Sequence, residues 1–175
     1  MKVKNMARCA LFTALLAVCA WIAVPVGDVA FTLQTFAIAL TLYLLGGKWG
    51  SAAIFVYLLL GAAGVPVFSG FRGGFGSLLG VTGGYIAGFL LWGLVYWLVT
   101  ALWSGQKYAP HFAMVLGLLL CYAFGTAWYY FGYLRGGSAL SFGAILIKCV
   151  IPYLLPDGIK LILACLLSRR LIRFM

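Results

Sequence analysis

The polar residues that stand out in this sequence are a carboxylate and an amine three positions apart in an otherwise apolar run. Asp157 and Lys160 lie within residues 142–167, a run that also contains Pro152 and Pro156. Residues three apart share a helix face, so the two charges can pair. An isolated charge in hydrocarbon costs at least about 3 kcal/mol, so such residues face a partner or a cavity. The pair either neutralises itself or forms part of a ligand site, and the interrupted helix beside it favours a ligand site.

The two prolines predict how this helix is interrupted. Neither residue can donate a backbone hydrogen bond, so each frees a carbonyl one turn earlier and kinks or breaks the helix. Pro156 suits the first position of a new helical segment, which would place Asp157 in the first turn. Asp157 then lies about 18 Å of helix from Arg169, at 1.5 Å per residue. If Arg169 marks the inner boundary, the pair lies on the outer side of the membrane centre.

A glycine-rich segment over residues 66–85 contains a second group of candidate ligand residues. Its glycines, Gly74 among them, allow positive φ and close backbone approach, so their NH groups can point at a ligand. Packing of a tight re-entrant loop explains the glycines equally well. Arg72 favours a ligand, because a guanidinium facing outside can hold a carboxylate. Tyr85 follows the segment and could cover an apolar ring.

Further candidates lie at the start of the second apolar run and in the fifth. Thr32 and Gln34 add a hydroxyl and an amide, although Thr32 also suits a helix N-cap. Tyr122 lies deep in the fifth run, whereas Trp128 and Tyr129 approach its outer end and resemble an interfacial aromatic belt. The predicted substrate-binding residues are therefore Thr32, Gln34, Arg72, Gly74, Tyr85, Tyr122, Asp157 and Lys160.

The composition restricts where these residues can lie. Of 175 residues, 66% are hydrophobic and 8% charged, with a mean hydropathy of +1.14, whereas roughly a quarter of the residues in soluble domains are charged. The chain is therefore predicted to be an all-α integral membrane protein, a single transmembrane domain over residues 1–175 in contact with lipid. Basic residues outnumber acidic ones by 12 to 2. They cluster at the ends of apolar runs, which indicates membrane orientation rather than nucleic-acid binding.

Apolar runs predict six transmembrane helices. They cover residues 7–24, 33–45, 49–64, 83–103, 111–131 and 142–167. The first run also resembles a signal peptide, but it is long for one and the rest of the chain is equally apolar. An even number of spans puts both termini on one side. Most lysines and arginines then fall on that side and few, such as Arg72 and Arg135, on the other with Asp28, which predicts cytoplasmic termini in the cell membrane.

The remaining residues exclude several functions. The cysteines have no CxxC spacing and His111 has no ligand partner nearby in sequence, so no metal or cofactor is expected. No nucleophile–base pair is apparent, which argues against a membrane enzyme. Ala10 and Ala14 form a small-xxx-small pair on the first helix. That pair permits close approach of another helix, either within the chain or from a partner subunit.

Four segments of this sequence resemble the BioY family. They are residues 31–36 (FTLQTF), 61–68 (GAAGVPVF), the glycine-rich stretch into 82–85 (TGGY), and 156–160 (PDGIK). They occur in the family's order and spacing across essentially the whole chain. Val81 departs from the pattern, since a proline is expected there, and the glycine-rich loop lacks an expected side-chain amide.

BioY proteins are biotin-binding S components of energy-coupling factor (ECF) transporters. The resemblance implies a six-helix fold with a vitamin pocket at the outer face, closed by the loops after the first and third helices. It also implies that the Ala10/Ala14 face docks a transmembrane coupling subunit, which recruits two ATPase subunits. Asp157 could accept from the ureido NH groups of biotin while Lys160 or Arg72 meets its oxygens. Another vitamin or a stand-alone carrier remains an alternative; cationic thiamine suits Arg72 and Lys160 poorly.

Overall fold

Long apolar helices make up most of the chain. The structure, a computed structural model, describes residues 2–24, 30–135 and 141–174. The expected outer-side residue Asp28 lies outside the described residues, as does the Arg135 side chain. The helices are α1 (Lys2–Trp21), α2 (Gln34–Ala62), α3 (Phe75–Leu79), α4 (Gly83–Leu102), α5 (Ala109–Arg135), α6 (Phe142–Cys149) and α7 (Ile151–Leu171), with 3-10 turns at Ser69–Phe71 and Ile172–Phe174.

Among the described residues, five stretches are long and apolar enough to cross a membrane, one of which is α2 with 29 residues. This helix reverses direction at Gly46, whose φ of 72° and ψ of 175° are not helical. A Cβ on Gly50 would lie 3.2 Å from the Cα of Leu42, whereas eight residues of straight helix span about 12 Å. The element is therefore a hairpin of a first arm (residues 34–45) and a second arm (residues 47–62). These arms are the predicted second and third helices.

Helices α4 and α5 interlock by exchanging large and small side chains. The Cδ1 of Trp92 on α4 lies 2.1 Å from where a Cβ on Gly117 of α5 would be. In the opposite direction, the Cβ of Trp128 on α5 lies 2.2 Å from where a Cβ on Gly84 of α4 would be. Glycine at each contact lets the backbones approach closely and creates a socket for the opposing ring. This seam fixes one side of the bundle.

The predicted sixth helix is broken ahead of Pro152, as that proline predicts, but no new segment starts at Pro156. The break falls at Val150, with φ −123° and ψ −55°, between α6 and α7. Pro152 therefore lies in the first turn of α7, where a missing NH costs little. Pro156 lies inside α7, so the prediction that it starts a new helical segment is wrong. The break ahead of Pro152 relieves its clash with the preceding turn, and the helix continues through Pro156.

The two ends of the bundle differ in charge. Helix α1 runs parallel to the second arm of α2, since the Thr13 hydroxyl donates to the Ala53 carbonyl at 3.1 Å and the Cys9 thiol donates to the Trp49 carbonyl. The start of α1, the turn of α2, the α4–α5 loop and the end of α7 therefore share one end. This basic end is defined by Lys4, Arg8, Lys48, Lys107, Arg169, Arg170 and Arg173. The opposite loop end carries the glycine-rich segment and a short antiparallel pair of β1 (Ala23–Val24) and β2 (Phe31–Thr32).

Candidate ligand site

A cavity of about 710 Å³ opens at the loop end. Small-molecule sites typically measure about 300–1,000 Å³, so the cavity can hold a compact organic ligand. Strand β2, the start of α2, the glycine-rich segment, α4 and the part of α5 near the loop end form its walls. Its lining residues are Ala23, Ala30, Thr32, Gln34, Phe68, Ser69, Gly70, Arg72, Gly76, Ser77, Gly80, Val81, Thr82, Tyr85, Ile86, Phe89 and Tyr129. Four predicted substrate-binding residues, Thr32, Gln34, Arg72 and Tyr85, are among them, and Gly74, Tyr122, Asp157 and Lys160 are not.

Arg72 reaches the cavity from a cap turn, which we define as residues 68–72. The turn is closed by the Phe68 NH donating to the Arg72 carbonyl at 2.9 Å. Phe71 in this turn has a φ of 57°, the left-handed region that side chains disfavour. Trp21 at the end of α1 compensates, because it stacks on Phe71 at 5.1 Å and its indole NH donates to the Pro66 carbonyl at 2.8 Å. The turn is thus tied to α1.

The charge of Arg72 is not neutralised by any carboxylate in the described part of the chain, where Asp157 pairs with Lys160 alone. A cation in this state at a cavity wall is suited to an anionic ligand group. Gly74, the other candidate from the glycine-rich segment, donates its NH to the Gly61 carbonyl at 2.6 Å. Its backbone amide therefore holds the segment to α2.

Gln34 and Thr32 are fixed at the entrance to α2. The Gln34 amide nitrogen donates to the Tyr57 hydroxyl at 2.7 Å, and that hydroxyl donates to the Val67 carbonyl at 3.1 Å. The backbone NH of Gln34 donates to the Thr32 hydroxyl oxygen at 3.3 Å. The Thr32 hydroxyl therefore accepts from a backbone NH at the start of the helix, as a capping side chain does, although the N-cap residue is Leu33. Both side chains are held against the cavity wall.

The ion pair is buried and shares its charges with other groups. Lys160 Nζ lies 2.7 Å from Asp157 Oδ1, and the two residues are 6% and 3% exposed. The Thr35 hydroxyl donates to the same oxygen at 2.9 Å, and the Tyr122 hydroxyl donates to Oδ2. Lys160 also donates to the Thr32 carbonyl at 2.6 Å. Asp157 is thus a node that joins the first arm of α2 to α5 and α7.

This node lies directly behind the cavity wall. Thr32 lines the cavity while its carbonyl holds Lys160. A carboxylate offers about four acceptor sites and an ammonium three donors. Asp157 uses three sites and Lys160 two donors on described residues, so each keeps capacity for one more hydrogen bond. The pair is therefore neither sealed into a closed network nor in the cavity lining.

The apolar walls include residues that the sequence did not single out. Phe68 belongs to the cap turn, and Phe89 follows Tyr85 by one helical turn, a spacing that could have identified it. Tyr129 was expected in an interfacial belt, but it is 2% exposed and lines the cavity. The belt prediction is wrong for this residue, because its side of α5 faces the cavity rather than lipid.

The fold and site define a polytopic helical membrane protein with a ligand-sized cavity at one end of its bundle. The sequence profile of the BioY family matches residues 1–175. The chain belongs to the BioY family, a family of transporters rather than enzymes.

Relatives and solved structures agree with this assignment. The chain is 40% identical to the biotin transporter BioY of Thermotoga maritima, over 96% of this chain and 95% of the relative. It is 36% identical to a probable biotin transporter BioY of Pyrococcus horikoshii, over 98% of each.

The S-component for biotin from an ECF-type ABC transporter superposes with a TM-score of 0.84 and 27% identity, over 98% of this chain and 92% of the other. An S component of a bacterial ECF transporter shares the fold alone, with a TM-score of 0.63 and 16% identity over 99% and 98%. The predicted S-component fold is confirmed.

Proposed function

We propose that this protein captures biotin at the outer face of the cell membrane and serves as the substrate-binding subunit of an ECF transporter. Family membership and the biotin-related relatives support the ligand. The observation that carries the proposal is the 710 Å³ cavity with Arg72, which pairs with no carboxylate in the described residues, on its wall and a buried ion pair behind that wall. The loop end then faces outside and the basic end faces the cytoplasm.

The two ends of biotin differ in polarity, and the cavity likewise has a charged, partly exposed end at Arg72 and a buried interior. Biotin has a charged carboxylate on a flexible chain and an uncharged ureido ring fused to an apolar thioether ring. A carboxylate loses more hydration free energy on burial than a neutral urea. We therefore assign the carboxylate to Arg72, on the partly exposed cap turn, and the ureido ring to the interior. Phe68, Phe89 and Tyr129 would cover the thioether ring.

At the inner end, the ureido ring would engage the groups on both sides of the Thr32 wall. Asp157 retains one acceptor site for a ureido NH, and Lys160 retains one donor for the ureido carbonyl. Thr32 lies between the pair and the cavity, so a small displacement of β2 would let the ligand reach them. Tyr122 and Thr35 would keep the carboxylate oriented while this happens.

Transport would need partners that the chain itself does not supply. We propose that a transmembrane coupling subunit docks on the exposed face of α1 that carries Ala10 and Ala14, and that this subunit recruits two ATPases. Small side chains on an exposed helix face permit close helix–helix approach within lipid. The sequence has no Walker A motif, since its Gly47-Lys48 pair is followed by Trp49. ATP hydrolysis by separate subunits fits that observation.

Calorimetric titration of biotin into the purified protein tests the proposal. Wild-type protein is expected to bind biotin and not thiamine. Arg72→Ala should weaken biotin binding about tenfold or more, the effect of losing one charge-assisted hydrogen bond. Lys107→Ala, which removes a cation at the basic end, is the matched control and should leave the affinity unchanged. If the wild-type protein does not bind biotin, the proposal is refuted. If both variants lose biotin affinity equally, the role of Arg72 is refuted.

A further inference from the structure

Among the described residues that line the cavity, Gln34 alone has a side-chain amide. It is 5% exposed, and an amide at such a site can face the cavity with either its donor or its acceptor. The two orientations select opposite ligand groups: a turned-out NH2 favours carbonyls, and a turned-out oxygen favours N–H groups. The neighbours of Gln34 decide between them.

Tyr57 determines the orientation. Its hydroxyl has one proton, which it donates to the Val67 carbonyl at 3.1 Å. In the described part of the chain, that carbonyl accepts from no other group. Tyr57 can therefore only accept from Gln34, and the Gln34 nitrogen lies 2.7 Å away as the donor. A flipped amide would place two acceptors, Gln34 Oε1 and the Val67 carbonyl, around a single proton and leave one of them unsatisfied.

The amide oxygen of Gln34 must then point away from Tyr57. It bonds to no described residue. It is also not among the fully buried polar atoms that lack a partner in the described ranges, which are the Ser51 hydroxyl and the Trp92 indole nitrogen. Since Gln34 lines the cavity, the exposed oxygen faces it.

We propose that Tyr57 is a positioning residue that fixes Gln34 as a hydrogen-bond acceptor, so that the site selects a ligand head group bearing an N–H. This inference rests on the proposed function, in which that head group is the cyclic urea of biotin. Tyr57 itself is 1% exposed and is not a cavity-lining residue, so it acts through Gln34 rather than by touching the ligand. If the Gln34 amide were flipped, the site would present an NH2 group instead and would tolerate a urea whose nitrogen carries a methyl group.

The test compares biotin with its two ureido N-methyl derivatives, each of which lacks one N–H. The readout is the ratio of the dissociation constants, which does not change if a variant merely lowers the fraction of folded protein. Wild-type protein should prefer biotin over one derivative by about tenfold or more. Gln34→Leu should reduce that ratio severalfold, and Tyr57→Phe should do the same, because the freed amide can then flip. The double variant should lose little more than either single one, as expected for residues that act as a unit.

Tyr96→Phe is the matched control, a buried tyrosine in α4 toward the basic end, and should keep the wild-type ratio. A Tyr57→Phe variant that also keeps the wild-type ratio while Gln34→Leu loses it would overturn the positioning role. Ratios unchanged in both variants would overturn the role of Gln34 as well. A wild-type protein that does not bind biotin would instead overturn the proposed function.

Discussion

Asp157 shows how a carboxylate is retained inside an apolar bundle. It accepts hydrogen bonds from Lys160, Thr35 and Tyr122, so most of its lost hydration is replaced. Lys160 is compensated twice more, by the Thr32 carbonyl and by the Phe31 ring, whose centroid lies 3.8 Å from the ammonium nitrogen. Removing one partner of such a pair leaves an uncompensated charge, whereas removing both does not.

Single and double variants of the pair can therefore distinguish a ligand-binding role from a purely structural one. Asp157→Asn should destabilise the protein by about 3–5 kcal/mol, because Lys160 is left as an unpaired buried charge. The double variant Asp157→Leu with Lys160→Met should recover most of that loss in thermal unfolding of detergent-solubilised protein. It should nevertheless fail to bind biotin with wild-type affinity if the pair contacts the ligand.

The matched control for these variants is Lys107→Met, which removes an exposed lysine at the basic end and should change neither stability nor affinity. If the double variant is stable and binds biotin with wild-type affinity, the role of the pair is purely structural.

The sequence predicted part of this site. The three-residue spacing of Asp157 and Lys160 indicated their pairing, which the structure confirms. It could not indicate Thr35 and Tyr122 as donors to the same carboxylate, because they lie 122 and 35 residues away. Nor could it indicate that the pair lies behind the wall, since which residue faces a cavity depends on how the helices rotate against each other.

At the scale of elements, glycines determine how closely the helices approach. The α4–α5 seam depends on residues such as Gly117, which is buried and whose missing Cβ provides space for the Trp92 ring. A methyl group there cannot be accommodated unless the indole or the backbone moves. Overpacking of this kind typically costs about 1–3 kcal/mol.

We therefore expect Gly117→Ala to lower the unfolding temperature. Gly132→Ala is the matched control on the same helix, since nothing lies within 4 Å of its added methyl group. That control should be neutral or stabilising by up to about 1 kcal/mol, because alanine is the better helix former. Thermal unfolding of both variants, followed by tryptophan fluorescence, measures the difference. Equal unfolding temperatures would show that the seam is loose enough to absorb a methyl group.

Long apolar runs in the sequence predicted the long helices well. The reversal between the second and third helices follows from Gly46 and Gly47, because a residue with a φ of 72° is accommodated most easily by glycine. The β1–β2 pair was not predicted, since strands of two residues carry no period. The break at Val150 agrees with the expected effect of Pro152, but the new segment was wrongly predicted to start at Pro156. The choice between the two prolines depends on the packing of the two helices, not on proline chemistry alone.

The two ends of the molecule differ in structure and in charge. The cavity and its cap turn occupy the loop end, and most of the basic residues in the described part of the chain lie at the other end. Arg72 and Lys160 are exceptions, and both have a ligand-binding role in the proposed function. Helix α1 connects the two ends, because its start lies at the basic end and its last residue, Trp21, holds the cap turn.

In the proposed function, ligand capture and docking of the coupling subunit use different parts of the molecule. Ala14 lies on the exposed face of α1, away from the cavity lining, so enlarging it should block a docking helix without changing the site. Ala14→Leu is expected to keep wild-type biotin affinity in calorimetry and to reduce biotin uptake at least tenfold in cells that contain the coupling subunit and ATPases. Ala123→Leu, an exposed alanine on α5, is the matched control and should support normal uptake. Both α1 and α5 present these alanines to lipid or to a partner, so a difference between the variants identifies the partner's face. If both variants take up biotin normally, the coupling subunit docks elsewhere and α1 serves only to hold the cap turn.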